Sequence, residues 1–264
     1  MRQVVATVIS NEQLWGEHWI LGHRKFLGAW LIRLKCPDVA SEAKPGQFVM
    51  VNCGKECLLP RPFSIHQVNE DGIALFYAVL VDGKGTNWLS QRYKGETVWL
   101  FGPLGNGFSI KPHSNNLLLV AGGNGIAPLY YLAQEALKKK HSVTLLYGTA
   151  DKKRYSVSPQ IELVSATEDG SAGKRGLITD FLPDFIGWAD QIFACGPTSM
   201  YQTMAAQKRL KTKPVQVSLE VRMGCGLGVC YGCTIKTKSG LKQVCKDGPV
   251  FDLDDVLWDE LDCF

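Results

Sequence analysis

The sequence predicts an antiparallel β-barrel, then an α/β domain with a parallel sheet, then a small C-terminal metal-binding domain. Three observations support this order. Short strand-like segments fill residues 1–111, strands alternate with helices in 112–213, and four closely spaced cysteines lie in 214–264. A chain of 264 residues is long enough for two ordinary domains and such an appendage.

The first part has the pattern of β-structure. Runs of apolar residues are separated by Gly, Pro, Asp and Asn, without helical periodicity between them. The predicted strands cover residues 4–10, 30–36, 47–53, 62–68, 73–80 and 97–101. Because short strands without intervening helices typically form a closed antiparallel sheet, we expect a β-barrel here.

Two segments of this barrel have residues suited to a phosphate-bearing ligand. Arg61 offers a guanidinium to a phosphate, and Ser64 offers a short hydroxyl to a ring nitrogen. In residues 82–86, two glycines followed by a threonine form a pattern typical of an anion-binding nest. Each segment alone is equally compatible with an ordinary strand start and an ordinary turn.

The second part begins with a continuous apolar run at 117–121, as expected of a buried parallel strand. A helix is predicted at 126–139, with Pro128 in its first turn, and a strand at 143–147. The turn between the first strand and the helix consists of Gly122, Gly123, Asn124 and Gly125. This turn would present N–H groups to a phosphate in a Rossmann-like sheet. It lacks the G-x-G-x-x-G spacing, so a tight turn without a ligand is the alternative.

A second turn of the same kind follows a predicted strand at 191–194, where Cys195, Gly196 and Pro197 precede a helix at 198–208. Ligands of open parallel sheets bind at the carboxyl ends of the strands, so both turns belong to one predicted dinucleotide site. After the strand at 143–147, Asp151 would hold a ribose hydroxyl of NAD. The cations at 152–154 would instead hold the 2′-phosphate of NADP, and a solvated loop is the third possibility.

The third part contains Cys225, Cys230, Cys233 and Cys245, spaced C-x4-C-x2-C-x11-C. The first three follow the plant-type ferredoxin spacing, whose thiolates hold a 2Fe–2S cluster. Four interspersed glycines allow the backbone to approach inorganic sulfide. A structural zinc site is the alternative, but it usually has two short C-x2-C pairs, and only one is present. The early fourth cysteine indicates a small cluster domain rather than a complete ferredoxin.

Composition limits the function classes. A net charge of +4 is too small to indicate nucleic-acid binding. No apolar stretch reaches the ~20 residues of a membrane span, and the N-terminal segment lacks the apolar core of a signal peptide. Nine cysteines in such a chain predict a cytoplasmic protein with a metal site. The five histidines show no metal-ligand spacing, so they receive no predicted role.

Six segments carry a family resemblance. They are RPFSI, GKGT, GPLGNGF, AGGNGIAP, ACGPTSM and SLEVRMGCGLGVCYGC…VCKDGPVF, in this order over essentially the whole chain. The chain resembles the electron-transfer subunits of NAD-dependent dihydroorotate dehydrogenase B, in the ferredoxin–NADP reductase superfamily. The resemblance implies an FAD-binding barrel, an NAD-binding domain and a 2Fe–2S domain.

The resemblance also implies particular residues and partners. It implies FAD contacts at Arg61, Pro62, Phe63, Ser64, Ala78, Val79, Leu80, Gly85 and Thr86. It implies that Cys195 lies near the nicotinamide and that the four cysteines of 225–245 hold the cluster. It further implies a heterotetramer of two such chains and two FMN-containing catalytic subunits that oxidise dihydroorotate. No general base is predicted, because the chain would position carriers and would not catalyse a proton transfer itself.

Other functions remain open at this point. The same three parts occur in small flavin and iron–sulfur subunits of ferredoxin:NADP oxidoreductases and sulfhydrogenases, although the intact set of four cysteines favours the pyrimidine enzyme. A redox-sensing module would not oxidise NADH rapidly. A zinc-stabilised interaction domain would be colourless.

Overall fold

A computed structural model of the chain describes residues 2–16, 19–21 and 24–261. It contains an eight-stranded sheet, a seven-stranded sheet and a two-stranded hairpin, in the predicted order, which confirms the predicted fold class. The domain boundaries near 111 and 213 stay a prediction. The histidines at 18 and 23 lie outside the described residues. None of the described helices is long and apolar enough to cross a membrane.

The eight-stranded sheet is antiparallel and contains every strand up to residue 104. Its elements are β1 (Arg2–Trp15), β2 (Trp19–Leu21), β3 (Arg24–Lys35), α1 (Pro37–Ala40), β4 (Phe48–Val51), β5 (Arg61–Ser64), β6 (Gln67–Val68), β7 (Gly72–Leu80), α2 (Lys84–Ser90) and β8 (Thr97–Leu104). The strands pair in the order β5-β4-β8-β1-β3-β7-β6, with β2 beside β3.

The two edges of the barrel are joined by a two-residue link, and within the described part of the chain no strand ladder pairs one edge with the other. β5 and β6 lie at opposite ends of the pairing order, yet only Ile65 and His66 separate them. The N–H group of Ile65 donates to the Gln47 carbonyl (3.0 Å), whereas that of His66 donates to the Ala74 carbonyl (2.9 Å). The prediction of one strand over 62–68 is therefore wrong. The chain changes edges at this link, so it forms two strands.

The seven-stranded sheet contains the α/β part and is parallel except at one edge. Its strands pair in the order β12-β11-β10-β9-β13-β14-β17, and only β17 runs antiparallel to its neighbour. The strands of this sheet up to residue 218, together with the helices that connect them, are β9 (Asn116–Gly122), α3 (Ile126–Lys138), β10 (Ser142–Thr149), β11 (Glu162–Thr167), β12 (Lys174–Arg175), α4 (Ile178–Phe181), β13 (Gln191–Cys195), α5 (Thr198–Ala206) and β14 (Val215–Ser218).

The C-terminal part consists of a hairpin, one helical turn and the last strand of the large sheet. Its elements are β15 (Thr234–Thr237), β16 (Gly240–Gln243), α6 (Val244–Asp247) and β17 (Val250–Asp252). The hairpin is confirmed, whereas β17 lies where only a turn and a tail were expected. It forms because the edge of β14 is available for pairing, a long-range feature that local sequence does not contain.

Further differences concern short elements. Short 3₁₀ helices, which were not predicted, occur at Gly123–Gly125, Leu182–Asp184, Lys208–Thr212 and Trp258–Glu260. The strands β11 and β12 and the helix α4 were also not predicted. The segment 82–86, interpreted as a turn, enters α2 at Lys84. α2 packs against β7, and this tertiary contact stabilises a helix despite two glycines.

Three hydrophobic cores hold the molecule together, and the barrel contributes to each. The barrel interior forms the first core. On one side, β7 packs with α3 and the adjacent sheet face, where Phe76 meets the edge of Tyr155. On the other side, Met50 and Leu104 pack with the opposite sheet face and with Cys233 and Cys245. The barrel therefore packs against both the nucleotide domain and the cysteine segment, which also contact each other through β14 and β17.

Asn106 ties the end of the barrel to the C-terminal segment. Its side-chain Nδ2 donates to the carbonyls of Asp247 (3.0 Å) and Val250 (2.9 Å), and its Oδ1 accepts from the Val250 N–H group (3.0 Å). Its own N–H group donates to the Gly248 carbonyl (2.7 Å). One exposed side chain thus satisfies three backbone groups of the segment that carries Cys245.

We expect Asn106→Ala to lower the free energy of unfolding by about 1–2 kcal/mol, because three hydrogen bonds are lost where water only partly replaces them. Denaturant unfolding followed by circular dichroism measures this change, and amide hydrogen exchange at Val250 should accelerate. Asn115→Ala, at an exposed position on the next loop, serves as the control. Equal stabilities for the two variants would contradict this role.

Candidate functional site

The predicted FAD residues of β5 and α2 lie side by side. A Cβ atom at Gly85 would be 3.0 Å from Arg61 Cγ and 3.4 Å from Cys53 Cβ. The hydroxyl of Thr86 accepts a hydrogen bond from the Leu80 N–H group (3.4 Å), which brings the end of β7 to the same place. The three predicted groups therefore form one continuous surface, and any side chain at Gly85 would fill the space beside Arg61.

Side chains of these strands point in two directions. Phe63 and Val79 are buried in the barrel core, where Phe63 makes an edge contact with Tyr77 (5.6 Å between centroids, 76°). Pro62, Ser64, Ala78 and Leu80 are half-buried. A ligand outside the barrel can thus meet Ser64 and Leu80 directly but Phe63 and Val79 only through their backbone.

The two glycine-containing turns of the α/β part are in contact. β9 and β13 are neighbouring parallel strands, with Ala121 opposite Cys195. A Cβ atom at Gly125 would overlap the Cys195 carbonyl group, and one at Gly122 would lie 2.7 Å from Pro197 Cδ. Gly123 has φ +54° and open space around it. The arrangement leaves backbone N–H groups at the carboxyl ends of two strands, where a dinucleotide phosphate can approach.

Cys195 itself is fully buried within the core that β9, β13 and α3 share. Burial raises the pKa of its thiol well above the usual value, and the charge of Glu220 adds to the shift. The thiol therefore stays protonated. Gly196 and Pro197, by contrast, reach the surface. If this turn lies near a nicotinamide, as predicted, the backbone of the turn would therefore meet the ring and the buried sulfur atom would not.

Tyr201 fixes the second turn, and the sequence did not reveal it. Its hydroxyl accepts a hydrogen bond from the Gly196 N–H group (2.8 Å) and donates to the Ser218 carbonyl (2.7 Å). Its ring stacks on Trp258 at 5.0 Å. A buried tyrosine in a short helix is ordinarily a core residue. Only the folded chain shows that its hydroxyl joins the turn to the end of β14.

The loop after β10 does not present a free carboxylate. The Oδ1 atom of Asp151 accepts the Lys153 N–H group (2.7 Å), and its Oδ2 atom lies 3.9 Å from Lys153 Nζ. Asp151 would therefore have to exchange these contacts before it could bind a ribose hydroxyl.

The four predicted cluster cysteines are grouped as two pairs. The side chain of Cys230 is close enough to shift the pKa of Cys225, and that of Cys233 is close enough to shift the pKa of Cys245. Backbone N–H groups also point at the sulfurs: Leu227 at Cys225 (3.3 Å) and Cys245 at Cys233 (3.4 Å). Within the described ranges, no three His, Cys, Asp or Glu side chains converge on a position for a single metal ion.

Cys225 and Cys245 lie in opposite electrostatic environments. Desolvation acts to raise the pKa of Cys225, but the N–H groups of Leu227, Val229 and Cys230 outweigh it and lower this pKa to about 6. Burial raises the pKa of Cys245 to about 12, and the neighbouring Cys233 thiol acts in the same direction. The outer part of the loop therefore stabilises negative charge on sulfur better than the inner part does.

Glycines bring the cysteine loop against the barrel. Gly226 and Gly228 have φ values of +70° and +75°, which side chains with a Cβ atom rarely adopt. A Cβ atom at Gly226 would lie 2.6 Å from Met50 Cγ. Met50 in β4 pairs directly with Pro62 in β5. One strand therefore separates the cysteine loop from the predicted flavin strand.

An apolar surface surrounds the outermost cysteine. Val229 and Tyr231 are each 70% exposed, and Leu59 is 52% exposed. A Cβ atom at Gly224 would lie 3.4 Å from Cys230 Sγ and 3.8 Å from Leu59 Cδ1, so Leu59 borders the same loop. We call Leu59, Leu227, Val229 and Tyr231 the cluster-loop patch. Exposed apolar groups of this kind are typical of a protein interface.

Comparison with known proteins agrees with this geometry. A family model described as the iron–sulfur cluster binding domain of dihydroorotate dehydrogenase B matches residues 220–257. The dihydroorotate dehydrogenase B (NAD(+)) electron transfer subunit of Desulforamulus reducens is 37% identical over 87% of this chain and 93% of its own length. The Bacillus pumilus subunit of the same name is 33% identical, over 97% and 98%.

The chain belongs to the family of dihydroorotate dehydrogenase B electron-transfer subunits. It is an oxidoreductase subunit with an iron–sulfur cluster binding domain, and membership implies a catalytic partner subunit. A solved NADH-dependent reduced ferredoxin–NADP oxidoreductase, studied for flavin-based electron bifurcation, superposes with a TM-score of 0.81. It is 29% identical, over 98% of this chain and 91% of that chain.

We expect Gly125→Ala to destabilise the protein by about 1–3 kcal/mol, because the added methyl group meets the backbone of Cys195 and cannot be accommodated by a side-chain rotation. Thermal unfolding measures the loss. Gly187→Ala is the matched control, since nothing lies within 4 Å of a Cβ atom there. A Gly125→Ala protein as stable as this control would disprove the close contact of the two turns.

Proposed function

We propose that this chain carries electrons from the FMN of a dihydroorotate-oxidising partner, through a 2Fe–2S cluster and FAD, to NAD⁺. The observation that supports this most is the packing of three segments around β5. The cysteine loop reaches it through Met50 of the neighbouring strand β4, and α2 contacts it through Gly85. His66, in the link that follows β5, is hydrogen-bonded to Ala127 in the first turn of α3, directly after the glycine-rich turn.

The cysteine residues fit a 2Fe–2S cluster. Two pairs of thiols suit two iron ions, each of which binds two cysteines in such a cluster. The positive φ values of Gly226 and Gly228 and the N–H groups directed at sulfur suit the close approach and negative charge of the cluster. Its ligands would be Cys225, Cys230, Cys233 and Cys245. When bound, a 2Fe–2S cluster exchanges one electron at a time.

The barrel residues fit FAD. Arg61 would bind the pyrophosphate beside Gly85, and the Ser64 hydroxyl would hydrogen-bond to the flavin ring. When bound, a flavin accepts or gives a hydride and also exchanges single electrons, so it links NAD to the cluster. The solved relative described for flavin-based electron bifurcation supports a flavin in this fold.

The two glycine-containing turns, residues 122–125 and 195–197, fit the dinucleotide. NAD is proposed over NADP because the curated relatives are named for NAD(+). Overall, dihydroorotate and NAD⁺ would give orotate, NADH and a proton, with two electrons passing through this chain. The cluster-loop patch would contact the catalytic partner, since electrons must enter where the cluster is exposed. Two chains of each kind would form the heterotetramer.

A cytoplasmic location is part of the same proposal, because cluster thiolates require a reducing compartment. The second candidate is the small subunit of a ferredoxin:NADP oxidoreductase. It is favoured by the TM-score of 0.81 over 98% of the chain to a solved enzyme of that name. The two candidates differ in the partner, so the donor that reduces the chain distinguishes them.

The purified chain should contain two iron, two sulfide and one FAD per molecule, and should reduce a dye with NADH but not oxidise dihydroorotate. Metal and flavin analysis with a visible spectrum tests the first expectation, and steady-state assays test the second. Dihydroorotate oxidation should appear only when the catalytic partner is added. Zinc without flavin, or dihydroorotate oxidation by the chain alone, would refute the proposed function.

We expect Cys245→Ser to keep dye reduction by NADH within about twofold, while transfer between the partner and FAD falls at least about tenfold, because serine is a poor cluster ligand. Mixed assays with the catalytic subunit measure both rates. Cys36→Ala, which changes a buried cysteine of the barrel core, is the control. Unimpaired transfer in Cys245→Ser would mean that electrons bypass the cluster.

A further inference from the structure

His66 is a fully buried histidine that the proposed function does not use, and sequence patterns gave it no role. It lies in the link between β5 and β6, two residues after Ser64. Its Nδ1 atom is 2.9 Å from the carbonyl oxygen of Ala127. Ala127 belongs to the first turn of α3, two residues after Gly125 of the dinucleotide turn. This hydrogen bond therefore joins the predicted flavin strand to the predicted nucleotide turn.

The chemistry of the contact defines the state of the ring. A carbonyl oxygen can only accept, so Nδ1 carries the proton and Nε2 has a free lone pair. Nε2 is buried, and no residue in the described part of the chain hydrogen-bonds to it. Burial lowers the pKa of His66 to about 3, Arg33 lowers it further, and the bond to Ala127 only partly opposes this. The ring is thus neutral and donates one directed hydrogen bond at physiological pH.

Aromatic rings from both domains hold this imidazole in place. The His66 ring stacks on Tyr130 of α3 at 5.0 Å and 21°, and meets the edge of Tyr155 at 4.5 Å and 85°. Phe76 of β7 lies 5.5 Å away on the barrel side. Tyr155, which follows the loop after β10, also accepts a hydrogen bond from Gln67 Nε2 (3.2 Å). The His66 donor therefore has little freedom to turn away from Ala127.

We infer that His66 is a positioning residue that sets the distance between the dinucleotide turn and the flavin strand. The inference rests on the proposed function. In that reaction a hydride, which carries both electrons, would pass from the reduced flavin to NAD⁺ and give NADH; reduction of the flavin by NADH is the reverse of this step and crosses the same distance. The two cofactors would be held by different domains, so their reacting atoms meet only if these domains keep their relative position. Small errors in such distances cost large factors in rate.

Replacing His66 with asparagine or glutamine tests the hydrogen bond to Ala127 alone. Both replacements are polar amides of similar size, but only one of them can place its N–H group where Nδ1 lies. The amide nitrogen of His66→Asn reaches the place of Nδ1, whereas that of His66→Gln lies one methylene further out, near Nε2. We expect His66→Asn to reduce its flavin with NADH within about threefold of the unchanged chain. We expect His66→Gln to be slower by about tenfold or more at saturating NADH. Tyr130→Phe, which keeps the ring that stacks on His66, is the control.

Stopped-flow reduction of the full FAD-containing chain measures these rates, and NADH deuterated at C4 shows whether hydride transfer limits them. A larger isotope effect in His66→Gln, with unchanged flavin content and flavin reduction potential, is expected. A merely structural role would lower the melting temperature without changing the isotope effect. The ratio of the rate of the unchanged chain to that of His66→Gln should not vary between about pH 5 and pH 9, because the pKa of His66 is lowered to about 3 and its ring is neutral throughout that range.

Equal rates for the Asn and Gln variants would overturn the inference, as would a fast His66→Phe protein without any donor. If His66→Phe does not fold, the comparison of the Asn and Gln variants still tests the positioning role of His66. Failure of the proposed function has a different result, because the unchanged chain would then lack flavin or would not be reduced by NADH at all.

Discussion

The structure depends on one constraint: β5 and the strand and link beside it have to connect three separate parts of the chain at once. Met50 pairs with Pro62 and touches Gly226, so the cysteine loop reaches β5 through β4. Gly85 brings α2 against Arg61, and the link after β5 bonds to α3. A carrier of electron pairs and a carrier of single electrons need a converter between them, and the predicted flavin strand β5 lies near both of their predicted sites.

Close backbone approach, more than side-chain chemistry, makes these contacts. Gly85, Gly125 and Gly226 each lie where a Cβ atom would meet a neighbouring group. Polar side chains then fix the distance that glycine allows, as Asn106 does for the C-terminal segment and Tyr201 for the turn at Gly196. Such hydrogen bonds are individually worth about 1 kcal/mol, yet their direction specifies one arrangement of the parts.

Local patterns predicted the order of the parts and the segments that carry the site. The apolar run of β9 with its glycines, and the spacing of Cys225 to Cys233, are determined by short-range chemistry and were readable in the sequence. The role of Tyr201 and the strand β17 were not, because each depends on a partner distant in the chain. His66 was missed for the same reason. An isolated histidine has no pattern, and its carbonyl partner Ala127 is 61 residues away.

The two ends of the proposed path lie on different sides of the barrel, which allows them to work at the same time. The cysteine loop packs with Met50 and Leu104 of β4 and β8, whereas α3 packs with Phe76 of β7, near the other end of the pairing order. A partner bound at the cluster-loop patch would therefore leave the dinucleotide turns accessible. NADH, which has to diffuse away after each turnover, can leave without dissociation of the partner, so a permanent complex is compatible with a mobile product.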